Sequence, residues 1–434
     1  MFSAIKNIVR PLIPKSIFKS LQPLYHGGIA LLASIIFGHP SRDLTVIGVT
    51  GTAGKSTTVI MLAHILNYVG MKTGYITTAG SFDGNIEIKN TRGLSMPDGY
   101  TLQQSLHQFV LNGCKFAIIE ATSEGLAQNR HLGISFKGAL FTNLSPAHLD
   151  SHGSFENYRA AKGRLFSSLS VDSFIGVNVD DPNYQFYANF PARKKFGISV
   201  REDKIAQTSM PIMRAEHVSV QETLAFAIEN IPFELHLKGS FNIANSLLAI
   251  AAAQYLNIPL QKSSEALKEF GSIPGRMESI PNNRGITIIV DYAPEPAAME
   301  QSLRAVSMLD HNKIIHVFGS TGGHRDISKR FEFGAISSRF ADIIIITNDD
   351  VYDSNPAEIA KNVQEGIEHN TENKKVSEVI TILDRKQALA KALSIAQPKD
   401  VVLVTGKGNE QFLVLPGNQR IPWDEVQEIK QLLN

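Results

Sequence analysis

Cysteine is almost absent from the sequence: Cys114 is the single one in 434 residues. One cysteine excludes an internal disulfide and is typical of a protein from a reducing compartment. We expect Cys114 to be a small, buried, apolar residue.

An excess of charge is also lacking, because 42 basic residues face 41 acidic ones and the net charge is +1. This balance gives no reason to expect a nucleic-acid-binding protein. A hydrophobic content of 43% is enough for globular folding. The length of 434 residues exceeds one ordinary core, so we expect two or three domains. No internal repeat or low-complexity tract is present.

Acidic residues are missing from the first 42 positions, which carry five basic ones: Lys6, Arg10, Lys15, Lys19 and Arg42. The apolar run "GGIALLASIIFG" (27–38) is too short to span a bilayer. No small-residue cleavage site follows it, so secretion is not expected. Residues 1–43 are predicted to form a helical arm that packs on the next domain. Contact with a membrane surface is the alternative.

Short apolar runs alternate with helical patterns after this arm, which indicates a parallel α/β sheet. The predicted strands are 44–50, 72–78, 116–122, 138–144 and 174–180, and the helices are 56–69, 101–112, 155–169 and 240–256. Residues 190–238 are less regular and are predicted to form a small β insertion.

A segment rich in Pro, Gly and Asn, "SIPGRMESIPNNRG" (272–285), is the predicted linker and hinge. The alternation then restarts, with predicted strands at 286–292, 313–319, 341–349 and 400–406. The fold class is therefore α/β: a P-loop-type parallel sheet in a central ATPase domain, then a Rossmann-like C-terminal domain. The predicted domains are 1–43, 44–274 and 275–434.

The stretch "GVTGTAGKSTT" (48–58) lies between a predicted strand and a predicted helix. In that context a glycine-rich turn places backbone N–H groups around phosphate oxygens. Lys55 would reach the β- and γ-phosphates, and the Ser56 hydroxyl would bind Mg²⁺. Val49 replaces the first glycine of a strict P-loop, so a turn without a ligand is the alternative. We predict an ATP site.

Candidate metal ligands follow at later strand ends. Glu120 ends the run "FAIIE", and "TNLSPAHLDSHG" (142–153) contains His148 and His152. Zinc is not expected, because no cysteine is near. Lys162, in "YRAAKGRLF" (158–166), would repel Mg²⁺ as an ammonium but would bind it as a carbamate.

Taken together, these motifs resemble those of the Mur ligases, ATP-dependent amide-forming enzymes of peptidoglycan synthesis, and most closely the MurE type. The resemblance runs from about residue 44 to the C-terminus. It implies that ATP is contacted by Thr50, Gly51, Thr52, Gly54, Lys55, Ser56, Thr57, Asn242, Asn245, Arg276 and Asp291. It implies two Mg²⁺ ions, held by Ser56, Glu120, His148 and a carbamylated Lys162, with Lys55 completing the catalytic set. For the muramoyl-peptide acceptor and the amino acid it implicates Ser95, Pro97, Asn143, Arg325, Lys329, Gly406 and Glu410.

The sequence departs from the MurE pattern in several places. Residues 1–43 stand where MurE-type enzymes carry a whole domain that holds uridine diphosphate, so the expectation is that this domain is lacking. "YAH" is replaced by Tyr292-Ala293-Pro294, and "GKGHE" by "GKGNE" (406–410). The Asp-Asn-Pro-Arg run that selects diaminopimelate is replaced by "TNDDVYDSNP" (347–356). Asp349 and Asp350 suit an amino acid with a distal ammonium, such as lysine.

The resemblance implies that the acceptor carboxylate attacks the γ-phosphate of ATP and that the amino acid's amine then attacks the acyl phosphate. Glu410 and the carboxylates at 349–350 are the candidate bases. We expect a cytoplasmic monomer. A ligase acting on a non-UDP acceptor, such as a folate or polyglutamate chain, is one alternative. A non-catalytic ATP-binding relative and a P-loop motor or kinase are the others.

Overall fold

The computed structural model describes residues 15–91, 96–147, 149–201, 208–221, 223–323 and 326–433. Among these residues, no helix combines the length and the apolar character needed to cross a membrane. Cys114 is buried, as predicted.

The first sheet has nine strands, of which seven run parallel. Its strands are β1 (Thr45–Thr50), β2 (Thr73–Ile76), β3 (Ser81–Phe82), β4 (Glu87–Ile88), β5 (Phe116–Glu120), β6 (Phe136–Phe141), β7 (Phe174–Asn178), β8 (Lys194–Ser199) and β9 (Ile212–Arg214). Their order is β4-β3-β2-β5-β1-β6-β7-β8-β9, with β3 and β4 antiparallel at one edge. All five predicted strands of this region are therefore confirmed, with slightly different bounds.

Helices cover both faces of this sheet, which explains why its strands read as continuous apolar runs. In chain order they are α1 (Lys15–Ile36), α2 (Lys55–Tyr68), α3 (Gly99–Leu111), α4 (Ser123–Ala127), α5 (Leu149–His152), α6 (Phe155–Ser167), α7 (Tyr184–Ala188), α8 (Phe241–Tyr255) and α9 (Leu260–Lys268). The side chains of α2 and α8 share one apolar cluster, and those of α3 and α6 belong to the cluster on the opposite face.

The β insertion was predicted over too wide a range, because 190–238 contains it but also contains two strands of the first sheet. β8 and β9, within 190–238, pair in parallel with β7 and with each other, so they extend the first sheet. The separate antiparallel sheet starts later and has three strands: β10 (Glu216–Val220), β11 (Leu224–Ile228) and β12 (Ile231–Leu235). Its residues alternate between buried and partly buried along β11, as expected for a sheet with one covered face.

The third sheet has six strands in the order β13-β14-β18-β15-β16-β17. These strands are β13 (Glu278–Ser279), β14 (Thr287–Asp291), β15 (Ile314–Phe318), β16 (Ile343–Ile346), β17 (Glu378–Thr381) and β18 (Val401–Thr405), followed by the hairpin of β19 (Phe412–Leu415) and β20 (Gln419–Pro422). The helices are α10 (Pro296–Ser307), α11 (Ser328–Phe340), α12 (Pro356–His369), α13 (Arg385–Ile395) and α14 (Glu425–Leu433). Two apolar clusters, one on each face, complete a doubly wound domain.

The N-terminal arm is helical where it is described. α1 packs against α3 so closely that a Cβ added to Gly99 would lie 2.4 Å from the Ala30 Cβ. Asn129 donates a hydrogen bond to the Pro23 carbonyl, and Ser34 donates one to the Gly133 carbonyl. The prediction of a helix docked on the following domain is confirmed for this part of the arm.

Candidate active site

The predicted phosphate loop lies at the carboxyl edge of the first sheet, where three strands end side by side. β1 is flanked by β5 and β6, with Val49 opposite Glu120 and Thr50 opposite Phe141. Parallel sheets bind ligands at this edge, since the loops that follow the strands meet there. The Thr50 hydroxyl donates to the Ala121 carbonyl at 2.8 Å and so fixes the start of the loop.

Gly54 ends the loop in a left-handed conformation, with φ +81°, directly before α2 begins at Lys55. A Cβ at Gly54 would lie 2.2 Å from the Asn245 Oδ1, so both the backbone and the neighbour require glycine. Asn143 clamps the loop from the other side. Its Oδ1 accepts from the Ala53 N–H at 3.0 Å, and its Nδ2 donates to the Ala53 carbonyl at 3.1 Å. The N-terminus of α2, which begins at Lys55 and includes the buried Thr57, therefore follows directly after this clamped loop, where its N–H groups suit an anion.

Ser56 and Glu120 form a pair of hard oxygen groups beside Lys55. The Ser56 hydroxyl donates to Glu120 Oε2 at 2.6 Å, and the Lys55 ammonium lies 3.8 Å from Glu120 Oε1. Thr78 donates to both carboxylate oxygens, from its backbone N–H and from its hydroxyl. Hydroxyl and carboxylate oxygens are the ligands that Mg²⁺ prefers, so this donor set fits a magnesium ion.

Lys162 lies on α6 with its side chain 2% exposed. Its Nζ donates to the Gly51 carbonyl at 2.7 Å and lies 4.5 Å from the Tyr158 ring centroid. Burial, reinforced by the nearby positive charge of Lys55, lowers the pKa of Lys162 well below its usual range. Burial thus shifts the balance towards the neutral amine, which is the form that combines with CO₂ to give a carbamate. Thr52, whose hydroxyl lies 3.0 Å from the Tyr158 hydroxyl, joins this group to the phosphate loop.

Two buried asparagines on α8 stand behind the phosphate loop. Asn245 donates to the Asn242 Oδ1 at 2.9 Å, and Asn242 donates to the Lys238 carbonyl at 2.8 Å. These contacts fix the orientation of both amides next to Gly54, where the adenine site was predicted.

The C-terminal domain reaches the same place through Arg276. Its guanidinium donates to the Ser56 hydroxyl at 3.4 Å and stacks 4.4 Å above the Tyr292 ring. Asp291, at the end of β14, accepts from the Met277 N–H at 3.1 Å and from the Ser302 hydroxyl. Burial raises the pKa of Asp291. Asp291 therefore holds the segment that carries Arg276, while Arg276 itself bridges the two domains.

Glu295 is a site residue that the motif analysis missed. Lys329 lies 2.8 Å from the Glu295 carboxylate. The negative charge of Glu295 acts to raise the pKa of Lys55 and of Lys162, although burial lowers both pKa values overall. Glu295 thus brings a negative charge of the C-terminal domain close enough to act on both lysines. Its position, one residue after Pro294 of the altered "YAH" motif, is the signal that was available.

A second cluster occupies the carboxyl edge of the third sheet. Asp349 and Asp350 follow β16, Glu410 follows β18, and one carboxylate oxygen from each lies within 4.8 Å of the others. Gly406, with φ +111°, permits this approach, since a Cβ there would lie 2.4 Å from the Asp349 Oδ2. The structure therefore brings together four residues that the sequence assigned to the substrates: Asp349, Asp350, Gly406 and Glu410.

Lys407, which the sequence analysis did not single out, stands at the centre of this cluster. Its buried ammonium lies 2.6 Å from Glu410, 2.8 Å from Asp350 and 3.8 Å from Asp349. Burial alone would lower the pKa of Lys407, but the three carboxylates raise it. Burial raises the pKa of Glu410 to about 7, against the opposing effect of Lys407. Asp350 is thus already paired within the chain, and its role towards a substrate ammonium stays a prediction.

Three predicted site residues, Ser95, His148 and Arg325, lie outside the described residues. Pro97 is described and partly buried, and it precedes Asp98, the residue that caps α3.

The chain also matches known proteins over most of its length. Residues 49–253 match the model of the Mur ligase middle domain, and residues 275–408 match that of the Mur ligase glutamate ligase domain. The chain belongs to the Mur ligase family. The predicted family, the α/β fold and the prediction of a ligase are confirmed by these matches.

Individual relatives in this family have informative names. The chain is 34% identical, over 94% of its length and 82% of the relative's, to a UDP-N-acetylmuramoyl-L-alanyl-D-glutamate–2,6-diaminopimelate ligase of Clostridioides difficile. It is 34% identical, over 93% and 81%, to a UDP-N-acetylmuramyl-tripeptide synthetase of Roseiflexus sp.. A solved UDP-N-acetylmuramoyl-L-alanyl-D-glutamate–2,6-diaminopimelate ligase superposes with a TM-score of 0.58 at 28% identity, covering 90% of this chain and 78% of that one.

Proposed function

We propose that this Mur ligase uses ATP to attach an amino acid, as the third residue of the stem peptide, to a muramoyl dipeptide. The observation that carries the proposal is the convergence of Lys55, Ser56, Glu120 and Lys162 on one phosphate loop, with Arg276 reaching it from the C-terminal domain. A protein that only bound ATP would need neither the buried Lys162 nor the Ser56–Glu120 pair. The names of the relatives support the choice of acceptor.

The reaction needs activation of a carboxylate, which is a poor electrophile. The acceptor carboxylate attacks the γ-phosphate of ATP, and an acyl phosphate forms while ADP leaves. The amine of the amino acid then attacks the acyl carbon, and inorganic phosphate leaves. Lys55 stabilises the charge that develops on the transferred phosphoryl group, and Arg276 orients the loop across the domain interface.

The proposed magnesium ions number two. Ser56 and Glu120 would hold one, and His148 with the carbamate of Lys162 would hold the other. When bound, these ions neutralise phosphate charge. The protein's own contribution is a site in which the neutral Lys162 amine is available, because burial disfavours its ammonium.

For the base that deprotonates the incoming amine we propose Glu410. Its pKa of about 7 suits a group that takes up a proton near neutral pH. Asp350, the alternative, also has a raised pKa, owing first to burial and then to Asp349, but it accepts hydrogen bonds from both Lys407 and the Val414 N–H. Glu410 has Lys407 as its ion-pair partner.

We propose that the amino acid carries a distal ammonium, as lysine does, because three carboxylates in the pocket outnumber the one internal ammonium of Lys407. The relatives named for 2,6-diaminopimelate make that amino acid the second candidate. An arginine at the place of the diaminopimelate-selecting run is missing from "TNDDVYDSNP".

We also propose the predicted domain limits, 1–43, 44–274 and 275–434, with the hinge in 272–285, and a monomer that works in the cytoplasm, where ATP is supplied. Contact of residues 1–42 with a membrane surface is a separate proposal that does not depend on the ligase activity; these residues hold five basic residues and no acidic one.

A matched pair of lysine variants tests the role of the phosphate loop. Lys55→Ala should lose acceptor-dependent phosphate release from ATP by a factor of about 10³ or more, because the phosphoryl group loses its cation. Lys115→Ala, at an exposed position away from the site, should behave like the wild type. Equal activity of both variants would contradict the assigned site.

A further inference from the structure

The solvent-facing side of α1 is made of large apolar side chains. Their exposed fractions run from 41% to 72%, and they are Leu21, Leu24, Tyr25, Leu31, Leu32, Ile35 and Ile36. We call these seven residues the apolar face of α1. Seventeen large hydrophobic residues are exposed in the described chain, so seven on one helix form a patch rather than scattered positions.

This face has the spacing of a single helical surface. Its members recur at intervals of three and four residues, with the exposed Gly28 between its two halves. No Asp, Glu, Lys or Arg occurs anywhere in residues 20–41. A surface helix of a globular domain normally carries charged side chains on its solvent side. The absence of every charge indicates that this side meets something other than water.

The opposite side of α1 is already occupied by the protein itself. Ala30, Ala33 and Ser34 are buried, and the contacts to Gly99 and Gly133 hold the helix on the domain. The apolar face is therefore presented outwards by a fixed helix, and packing within the described chain does not cover it.

From this geometry we infer that the apolar face of α1 lies in the interfacial region of an anionic phospholipid bilayer. Basic residues flank the charge-free stretch, with Lys15 and Lys19 in the first turns of the helix and Arg42 just beyond it. Lipid phosphates complement these cations while the aliphatic side chains enter the acyl boundary. A second copy of the chain would also cover the aliphatic side chains, but it would bring the same cations together without counter-charge.

The position of α1 gives this contact a consequence for the reaction. α1 packs against Gly99, two residues after Pro97 in the segment assigned to the acceptor. A bilayer bound through the apolar face would hold the acceptor side of the site near the lipid surface. This consequence rests on the proposed function, whereas the membrane contact does not.

Vesicle sedimentation tests the contact directly. The full chain is mixed with vesicles of phosphatidylcholine alone or with phosphatidylglycerol added, at low and high salt. We expect sedimentation with the anionic vesicles, weakened by salt. Leu31→Ser with Ile35→Ser should lower the partition coefficient about tenfold or more, because two aliphatic side chains no longer enter the bilayer. The matched control is Val171→Ser with Met308→Ser, which changes two residues of similar exposure elsewhere and should sediment like the wild type.

Two further readouts distinguish the possible outcomes. In the Leu31→Trp variant, the fluorescence of the introduced tryptophan should shift to shorter wavelength with anionic vesicles. Ligase activity without vesicles should be the same for wild type and both serine variants. Wild-type protein that stays in the supernatant with anionic vesicles would overturn the inference. A dimer in light scattering that the Leu31→Ser, Ile35→Ser variant dissociates would overturn it in favour of a second copy. Wild-type protein that binds the vesicles but shows no ligase activity would instead count against the proposed function alone.

Discussion

Replacing Glu425 by glutamine should strongly destabilise the C-terminal domain, because it breaks a buried ion pair next to the cluster of Asp349, Asp350 and Glu410. The Arg385 guanidinium donates to the Glu425 carboxylate at 2.7 and 3.0 Å, and both side chains are 0% exposed. The same guanidinium donates to the carbonyls of Asn348 and Thr405, the residues just before Asp349 and Gly406. Arg385 thus joins the ends of β16 and β18, the two strands that this carboxylate cluster follows.

The magnitude follows from what the substitution leaves behind. The guanidinium stays charged, and the amide of Glu425→Gln offers it no negative charge. Removing one partner of a buried ion pair costs about 3–5 kcal/mol. For a domain of about 150–250 residues this corresponds to a fall in melting temperature of roughly 10 °C.

The single tryptophan provides the assay. Trp423 donates to the Glu425 carboxylate from its indole N–H, so its fluorescence follows unfolding of this domain. Lys386→Ala is the matched control, since Lys386 is the next residue after Arg385. Its side chain is 51% exposed and forms an ion pair with Glu428 at 2.7 Å. Its loss should cost less than about 1 kcal/mol. At roughly 2–4 °C per kcal/mol, a melting temperature within about 2 °C of wild type would mean a cost of no more than about 1 kcal/mol. That result for Glu425→Gln would refute the reasoning.

Three other predictions concern single ionisable groups. Lys162→Ala should abolish ligation, and added formate or acetate should restore part of it by replacing the carbamate oxygens; full activity without rescue would contradict the carbamate. Glu410→Gln should remove a rise of kcat with pH near 7, because burial raises the pKa of Glu410 to about 7 and only the ionised carboxylate accepts a proton; an unchanged pH profile excludes this base. Burial lowers the pKa of His316 to about 3 in the folded protein, so its imidazole stays neutral there as the pH falls. In the unfolded chain the same imidazole, with a pKa of about 6.5, takes up a proton. This contribution to stability is present above about pH 6.5 and is lost as the pH falls towards 3, by about 2 kcal/mol at pH 5. His316→Gln should therefore lose less stability than wild type between pH 7 and pH 5, and equal losses in denaturant titrations would contradict it.

Much of the fold could be predicted from the sequence, because parallel strands buried on both faces read as unbroken apolar runs. β16, with four isoleucines, and β18 are examples in which all residues are buried. The predicted β insertion was too wide because β8 and β9, at the far side of the first sheet, show no such run in their sequences. β17 was missed for a related reason: three of its four residues are exposed.

The site was predictable where a motif determines local geometry, and less so where distant segments meet. The loop at Gly51–Gly54 and the lysine after it follow from strand, turn and helix. Lys407 and Glu295 were missed although each lies in or beside a motif, because contacts with Asp350 and Lys329, 57 and 34 residues away, bring them into the site.

The central claim is that the chain joins an amino acid to a muramoyl dipeptide at the cost of ATP. The most direct test incubates the purified protein with ATP, Mg²⁺ and UDP-N-acetylmuramoyl-L-Ala-D-Glu, adds single amino acids in turn, and follows phosphate release together with product mass. We predict phosphate release that requires one amino acid, with lysine the first expected, and a product heavier by that amino acid less one water. Protein that binds ATP but gives neither phosphate nor a heavier product with any amino acid would contradict it.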